Sequence, residues 1–269
     1  MSPFFTTFAP MEKITSLQNP RVKSVVALIE KARERKSSGL FTVEGAREIG
    51  LAQQAGYSFK MLFVCPEIFG AATLPEAEQI VEVSPSVFEK MAYRSSSEGL
   101  LAVAEQRGLS LENLRLSANP FVVVLEAVEK PGNLGAILRT ADAAKADAVI
   151  VCDTACDVYN PNVVRSSIGC IFTVQTACCT SAEALEFLRK RKIKTLAAEL
   201  QASLWYHEAD MRQPCAIVMG AEDDGLTDFW LRSADTRIKI PMRGAIDSLN
   251  VSVSAAVITF EAMRQRSFC

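Results

Sequence analysis

The sequence predicts an α/β fold in two parts, a smaller N-terminal domain followed by a larger domain built on a parallel sheet. Three observations carry this. Short apolar runs alternate with helical patterns along the whole chain. In the C-terminal half those runs are apolar on both faces, as strands covered by helices on two sides must be. Between the halves, "QRGLSLENLRLSANP" (106–120) is polar, carries Gly and Pro, and reads as a linker. The expected boundaries are residues 1–106 for the first domain, 107–118 for the linker and 119–269 for the second domain.

In the first domain, Val22, Val25, Val26 and Ile29 make a helical stripe within 19–36, and Gly39 is the stop. The runs "LFTVEG" (40–45), "KMLFVC" (60–65), "IVEVS" (80–84) and "LLAVAE" (100–105) read as strands. In the second, the strands are "FVVVLEAV" (121–128), "AVIVCD" (148–153), "FTVQTA" (172–177), "TLAAEL" (195–200), "CAIVMG" (215–220) and "TRIKIPM" (236–242). Helical segments such as "NLGAILRTADAAKA" and "SAEALEFLRKRK" separate them. The last stretch is ambiguous, because Val251-Ser252-Val253-Ser254 alternates like a strand. Leu249, Val253, Ala256, Phe260 and Met263, however, step by four, three, four and three. That spacing predicts a helix with those five on one apolar face, beginning near Ser248 or Asn250, both good caps.

A chain of 269 residues, 49% hydrophobic, buries a full core without metal or disulfide staples. Its eight cysteines show no paired CxxC spacing and have only His207 to join them, so reduced thiols and no metal site are expected. The opening "MSPFFTTFAP" has no basic n-region, and no apolar run reaches the roughly 18 residues of a spanning helix. A cytoplasmic protein with no membrane partner is the expectation. The net charge of −2 does not announce a nucleic-acid binder, yet residues 11–60 hold nine Lys/Arg against five Glu. From charge alone that segment reads as a solvated helix face.

Ligands of parallel sheets sit beyond the carboxyl ends of the strands, so the loops there bear the chemistry. In "EKPGNLGAILRTADAA", Gly132 and Gly135 allow a tight turn, Asn133 is expected as an N-cap and Arg139 projects from the helix. The full G-x-G-x-x-G of a dinucleotide site is missing, which excludes a nicotinamide-dependent dehydrogenase. In "IVMGAEDDGLTD" the spacing Gly220-x-x-x-x-Gly225 is that of a phosphate loop, but Leu226-Thr227 replaces the required Lys-Ser/Thr. Glu222, Asp223 and Asp224 would also repel phosphate. The third loop is "PMRGAIDSLN", after "IKI".

Taken in order, N-L-G-A-I-L-R-T-A (133–141), V-M-G-A-E-x-x-G-L (218–226) and I-P-M-x-G-x-x-x-S-L-N-V-S-V-S-A-A (240–256) resemble the three motifs of the SpoU/TrmH family of SPOUT RNA 2'-O-ribose methyltransferases. The match spans residues 119–269. The first domain, with "ITSLQNPRVKSVVALIEKARERKSSGLFTVEGARE", resembles the L30e-like substrate-binding domain that many members carry. Ala221 stands where the second motif more often has serine, and Glu129-Lys130 precede Pro131-Gly132 where an aspartate often stands.

The resemblance implies a deep trefoil knot in the C-terminal domain, a homodimer with active sites at the interface, and S-adenosylmethionine as cofactor. It implies cofactor contacts at Gly220, Ile240 and Leu249, with Met219 and Met242 beside them, and polar active-site positions at Asn133, Arg139, Glu222, Ser248 and Asn250. Such an arginine is often proposed as general base, but a guanidinium is effectively never neutral. Arg139 is therefore expected to bind phosphate or stabilise the alkoxide, while Ser248, Asn250 or water relays the proton and Asn133 and Glu222 orient Arg139 and the sugar. Ribosomal RNA is the expected substrate, with transfer RNA second. A non-catalytic RNA-binding or ribosome-assembly factor is the alternative, against which the intact polar positions count. With RNA as substrate, the basic segment reads as a phosphate contact through Arg33, Arg35 and Lys36.

Overall fold

The computed structural model describes residues 12–70, 73–93, 98–154 and 156–267. The opening segment Met1–Pro10, expected to lack a targeting signal, lies outside them. The chain forms two compact units, Met1–Gln106 with Tyr159–Pro161, and Arg107–Val158 with Asn162–Cys269. No helix among the described residues is long and apolar enough to cross a membrane.

In the first unit the elements run β1 (Glu12–Ile14), α1 (Pro20–Glu30), α2 (Ala32–Ser38), β2 (Leu40–Glu44), α3 (Ala46–Gln54), β3 (Phe59–Val64), β4 (Ile80–Val83), α4 (Pro85–Met91) and β5 (Leu100–Glu105). They build a mixed sheet in the order β1-β4-β3-β5-β2. Val22, Val25 and Leu28 of α1 pack onto it with Phe88 and Met91 of α4. The short edge strand β1 has no alternating pattern to announce it.

The single helix expected over 19–36 is two helices. Asn19 caps α1 by accepting from the Arg21 amide at 2.9 Å, but Lys31 is extended (φ −121°, ψ 112°) and α2 restarts beyond it. The break frees carbonyls that need donors. Arg35 supplies them, its guanidinium donating to Leu28 O at 2.5 Å and Ile29 O at 3.1 Å. It is only 2% exposed. Arg35 therefore does not belong with the expected RNA contacts, whereas Arg33 and Lys36 are exposed. Gly39 ends α2 in the left-handed conformation (φ 68°).

The second unit runs β6 (Phe121–Glu126), α5 (Pro131–Ala143), β7 (Ala148–Cys152), α6 (Pro161–Ser166), α7 (Cys170–Thr173), β8 (Thr176–Cys179), α8 (Ser181–Lys190), β9 (Lys194–Ala198), β10 (Leu204–Trp205), β11 (Cys215–Met219), α9 (Asp228–Ser233), β12 (Thr236–Lys239) and α10 (Val251–Gln265). All seven strands are parallel, in the order β10-β12-β9-β11-β6-β7-β8. Every residue of β6, β7 and β11 is buried, as helices on both faces require.

The structure departs from three of these expectations. Residues 172–173 of the expected strand "FTVQTA" lie in α7, which starts after left-handed Gly169 (φ 80°) and packs on α5; the strand begins at Thr176. The stretch expected as a linker is fastened to the second unit, with Leu114 buried in its core and Leu109 O accepting from the Cys178 amide at 2.7 Å. On α10 the buried face is Val251, Ala255, Ile258 and Ala262, while Val253 and Phe260 are 48% and 44% exposed. Apolar residues surround this helix, so a three-and-four spacing fits more than one face; packing against α5 selects the buried one.

Candidate active site

The first strand anchors the site. Glu126, at the end of β6, is 2% exposed, yet it is fully partnered. Its Oε2 accepts from the Thr227 amide at 2.8 Å, and its Oε1 accepts from Thr227 Oγ1 at 2.7 Å and from Ser181 Oγ at 3.2 Å. Ser181 Oγ in turn accepts from Trp230 Nε1 at 2.9 Å. A buried carboxylate persists only when paired in this way. Its effect is to pin the downstream end of the loop after β11.

The upstream end of that loop is pinned by backbone. Ala221 and Gly225 exchange N–H···O bonds of 3.0 and 3.2 Å. A Cβ at Gly220 would lie 2.1 Å from the Gly225 carbonyl carbon, so only glycine permits the approach. Gly135 plays the same part on α5, where a Cβ would stand 1.9 Å from Ser166 Oγ.

Between these clamps the loop aims Glu222 at the start of α5. Lys130 Nζ donates to Glu222 Oε2, and Asn133 Nδ2 donates to Glu222 Oε1. Asn250 Nδ2 donates to the same Oε1 at 2.7 Å and lies 3.2 Å from Asn133 Oδ1. Three loops distant in sequence thus meet on one carboxylate. Asn133 is the third residue of α5 and not its cap, which is Lys130, so its side chain is free for Glu222. Hydrogen bonding from Lys130, ahead of that from Asn133 and Asn250, holds the Glu222 carboxyl below the usual glutamate range. Glu222 in turn raises the Lys130 ammonium.

Asn250 fulfils the expectation of a helix start, its Oδ1 accepting from the Ser252 amide at 3.0 Å. Ser248 stands apart from the cluster and donates to Asp247 Oδ1 at 3.1 Å. Arg139 is exposed and, among the described residues, has no hydrogen-bond or ion-pair partner. It lies six residues beyond Asn133, about 9 Å along the helix and on another face. Asn133 and Glu222 therefore orient each other and Asn250, not Arg139.

Beside the cluster lies a cavity of about 400 Å³ at the carboxyl ends of β9, β11 and β12. Met219, Gly220, Ile240, Met242 and Leu249 all line it, together with Glu222 and Ser248. Its other carboxylates are Glu199, Asp223, Asp224 and Asp247. Glu199 Oε1 is buried without a hydrogen bond, with the Arg237 guanidinium 3.3 Å away. Among the described residues no group of three or more His, Cys, Asp or Glu stands ready to hold a metal ion. Sequence reasoning missed Glu126, Lys130, Glu199 and Asp247. Of these, Glu126 had a signal, since a charge inside a continuous apolar strand needs a reason.

Fold and cavity together define an α/β protein with a small-molecule site at the carboxyl edge of a parallel sheet. The chain belongs to the SpoU rRNA methylase family, which matches residues 120–260. Residues 19–102 match the MRM3-like substrate binding domain. The sequence is 29% identical over 266 residues to the 23S rRNA (uridine(2479)-2'-O)-methyltransferase of Streptomyces viridochromogenes, covering 94% of this chain and 92% of that protein. A crystal structure of an RNA 2'-O ribose methyltransferase is 41% identical, with a TM-score of 0.83 over 95% of this chain and 99% of the other. The SpoU methyltransferase AviRb from Streptomyces viridochromogenes, in complex with S-adenosylmethionine, is 27% identical with a TM-score of 0.86 over 93% and 99%.

Proposed function

We propose that the protein is an S-adenosylmethionine-dependent 2'-O-ribose methyltransferase of 23S ribosomal RNA. One observation carries the reading: the cavity that gathers all five expected cofactor positions opens beside the Asn133–Glu222–Asn250 cluster. The residues fit the cofactor. Met219, Ile240, Met242 and Leu249 offer apolar walls to an adenine, Gly220 lines the cavity with bare backbone, and the surrounding carboxylates suit a sulfonium and an ammonium.

When bound, S-adenosylmethionine supplies an electrophilic methyl group. The chain's part is to fix the ribose in line with it and to move one proton. Glu222 is a poor base, because both its oxygens are occupied and its pKa is depressed. Its role is to hold Asn133 and Asn250 in position. Ser248 is better placed for the proton: its hydroxyl lines the cavity and donates to Asp247, so a proton taken from the 2'-hydroxyl has a carboxylate to end on. Arg139, without an ion-pair partner among the described residues, meets the RNA phosphate or the developing alkoxide.

The functional unit is a homodimer in the cytoplasm. The exposed Val253 and Phe260 of α10 are the apolar face a second copy would cover, and α5, which carries Arg139, packs against that same helix. The test is calorimetry of S-adenosylmethionine binding together with transfer to unmodified 23S rRNA and to tRNA, the product mapped for 2'-O-methylation. Cofactor binding with a single methylated 23S nucleotide is expected. Methylation of tRNA alone would overturn the substrate, and binding of RNA without any transfer would favour the non-catalytic factor.

A further inference from the structure

We infer that a groove beside the cofactor cavity is a second subsite of the same reaction, seating an unpaired RNA nucleotide next to the methylated one, its base on Trp205 and its phosphate at Arg243. The inference rests on the methyltransferase reading and adds to it a place for the neighbouring nucleotide.

The groove, about 540 Å³, is lined by Trp205, Lys239, Met242, Arg243 and Asp247, among others. Its position follows from the sheet. β10 is an edge strand paired only to β12, with Trp205 opposite Lys239, and both residues line the groove. Trp205 is 40% exposed. Its backbone amide is taken by the Glu208 carboxylate at 3.0 Å, but among the described residues the indole N–H has no partner. The His207 ring stands 5.5 Å from it, tilted by 46°. An aromatic face left open at the end of a parallel sheet is a platform for another flat ring.

Three features make that ring a nucleobase. Lys239 and Arg243 lie along the groove, and neither is ion-paired among the described residues, so a phosphate finds cations within the same space as the aromatic face. The pairing of an aromatic platform with a cationic track is how single-stranded nucleic acid is held without sequence readout. Moreover, Lys239, Met242 and Asp247 line both groove and cofactor cavity, so the two spaces share a wall. A ribose presented to the cofactor has its neighbour within reach of Trp205. Asp247 is a carboxylate in the shared wall and repels a phosphate, which leaves the phosphate to the Arg243 side.

The chain has two tryptophans, and Trp230 is fully buried, so fluorescence changes on adding RNA report Trp205. Full-length protein is titrated with a short mixed-sequence single-stranded RNA, and methyl transfer is followed on unmodified 23S rRNA. Saturable quenching is expected. Trp205→Ala should weaken RNA affinity and raise KM for RNA on the order of tenfold, and Trp205→Phe should recover most of it. Arg243→Gln should reduce the slope of log affinity against log salt by about one. Neither Trp205→Ala nor Arg243→Gln should change S-adenosylmethionine affinity by calorimetry. Wild-type RNA affinity and KM in Trp205→Ala would overturn the subsite while leaving the methyltransferase reading intact. Loss of RNA binding only together with dissociation of a dimer, seen by light scattering, would also overturn it, since a second copy would then cover the groove. A wild-type protein that methylates no RNA would instead overturn the activity itself.

Discussion

Asn250 donates its side-chain amide to the Glu222 carboxylate at 2.7 Å while its side-chain oxygen accepts from the Ser252 amide at 3.0 Å. One residue therefore starts α10 and closes the polar cluster. The two duties separate by mutation. Asn250→Ala should lose both, with about 1 kcal/mol of stability from the cap and on the order of a hundredfold in kcat from misplaced neighbours. Asn250→Asp retains an oxygen for the cap but sets a second carboxylate beside Glu222. It should keep the cap, yet the two adjacent carboxylates repel, so at neutral pH both the urea midpoint and turnover should fall, and a variant that lost neither would show the contact to be idle.

Glu222 couples the cluster to pH. Its folded pKa is depressed, chiefly by Lys130, so the carboxylate stabilises the fold fully above the unfolded value of about 4.3 and the contribution is lost as pH falls through the lower folded value. Urea unfolding of wild type and Glu222→Gln between roughly pH 3 and 6 reads this directly. The gap between the two should be constant at the upper end and close toward the lower. A gap that does not change with pH would mean that Glu222 is not ionically held.

In the N-terminal unit, stability and RNA binding should divide between neighbours. Arg35→Ala leaves the Leu28 and Ile29 carbonyls without their donor and should cost about 2–3 kcal/mol. Arg33→Gln with Lys36→Gln touches nothing buried, should leave stability within about 0.5 kcal/mol, and should lower the salt slope of RNA binding by about two. Denaturant midpoints and binding at several salt concentrations check both halves.

That division also shows where the sequence is legible. The seven-stranded sheet can be read because β6, β7 and β11 are apolar at nearly every position, and two-sided burial has no other signature. The lining of the cavity can be read in part, because Gly220, Ile240 and Leu249, singled out by the resemblance of their loops to family motifs, all face it. Arg35 cannot be told from Arg33 in the same way, since its burial depends on the break at Lys31, which no propensity marks. The face of α10 stays hidden because Val253 and Val251 are equally apolar, and only the packing partner decides between them. Glu126 and Lys130 act through residues about a hundred positions away, beyond any local pattern.

The sheet order bears on how the molecule is made. β6, β7 and β8 are neighbours in space and nearly so in sequence, but β11 enters between β9 and β6, pairing Ile217 with Val123 and Leu196. On a growing chain β6 therefore waits with a bare hydrogen-bonding edge until residues beyond Cys215 arrive. Parallel pairing over such separations is slow. This unit is the one expected to need protection from aggregation during synthesis, and a chain cut short before β11 would keep that edge open indefinitely.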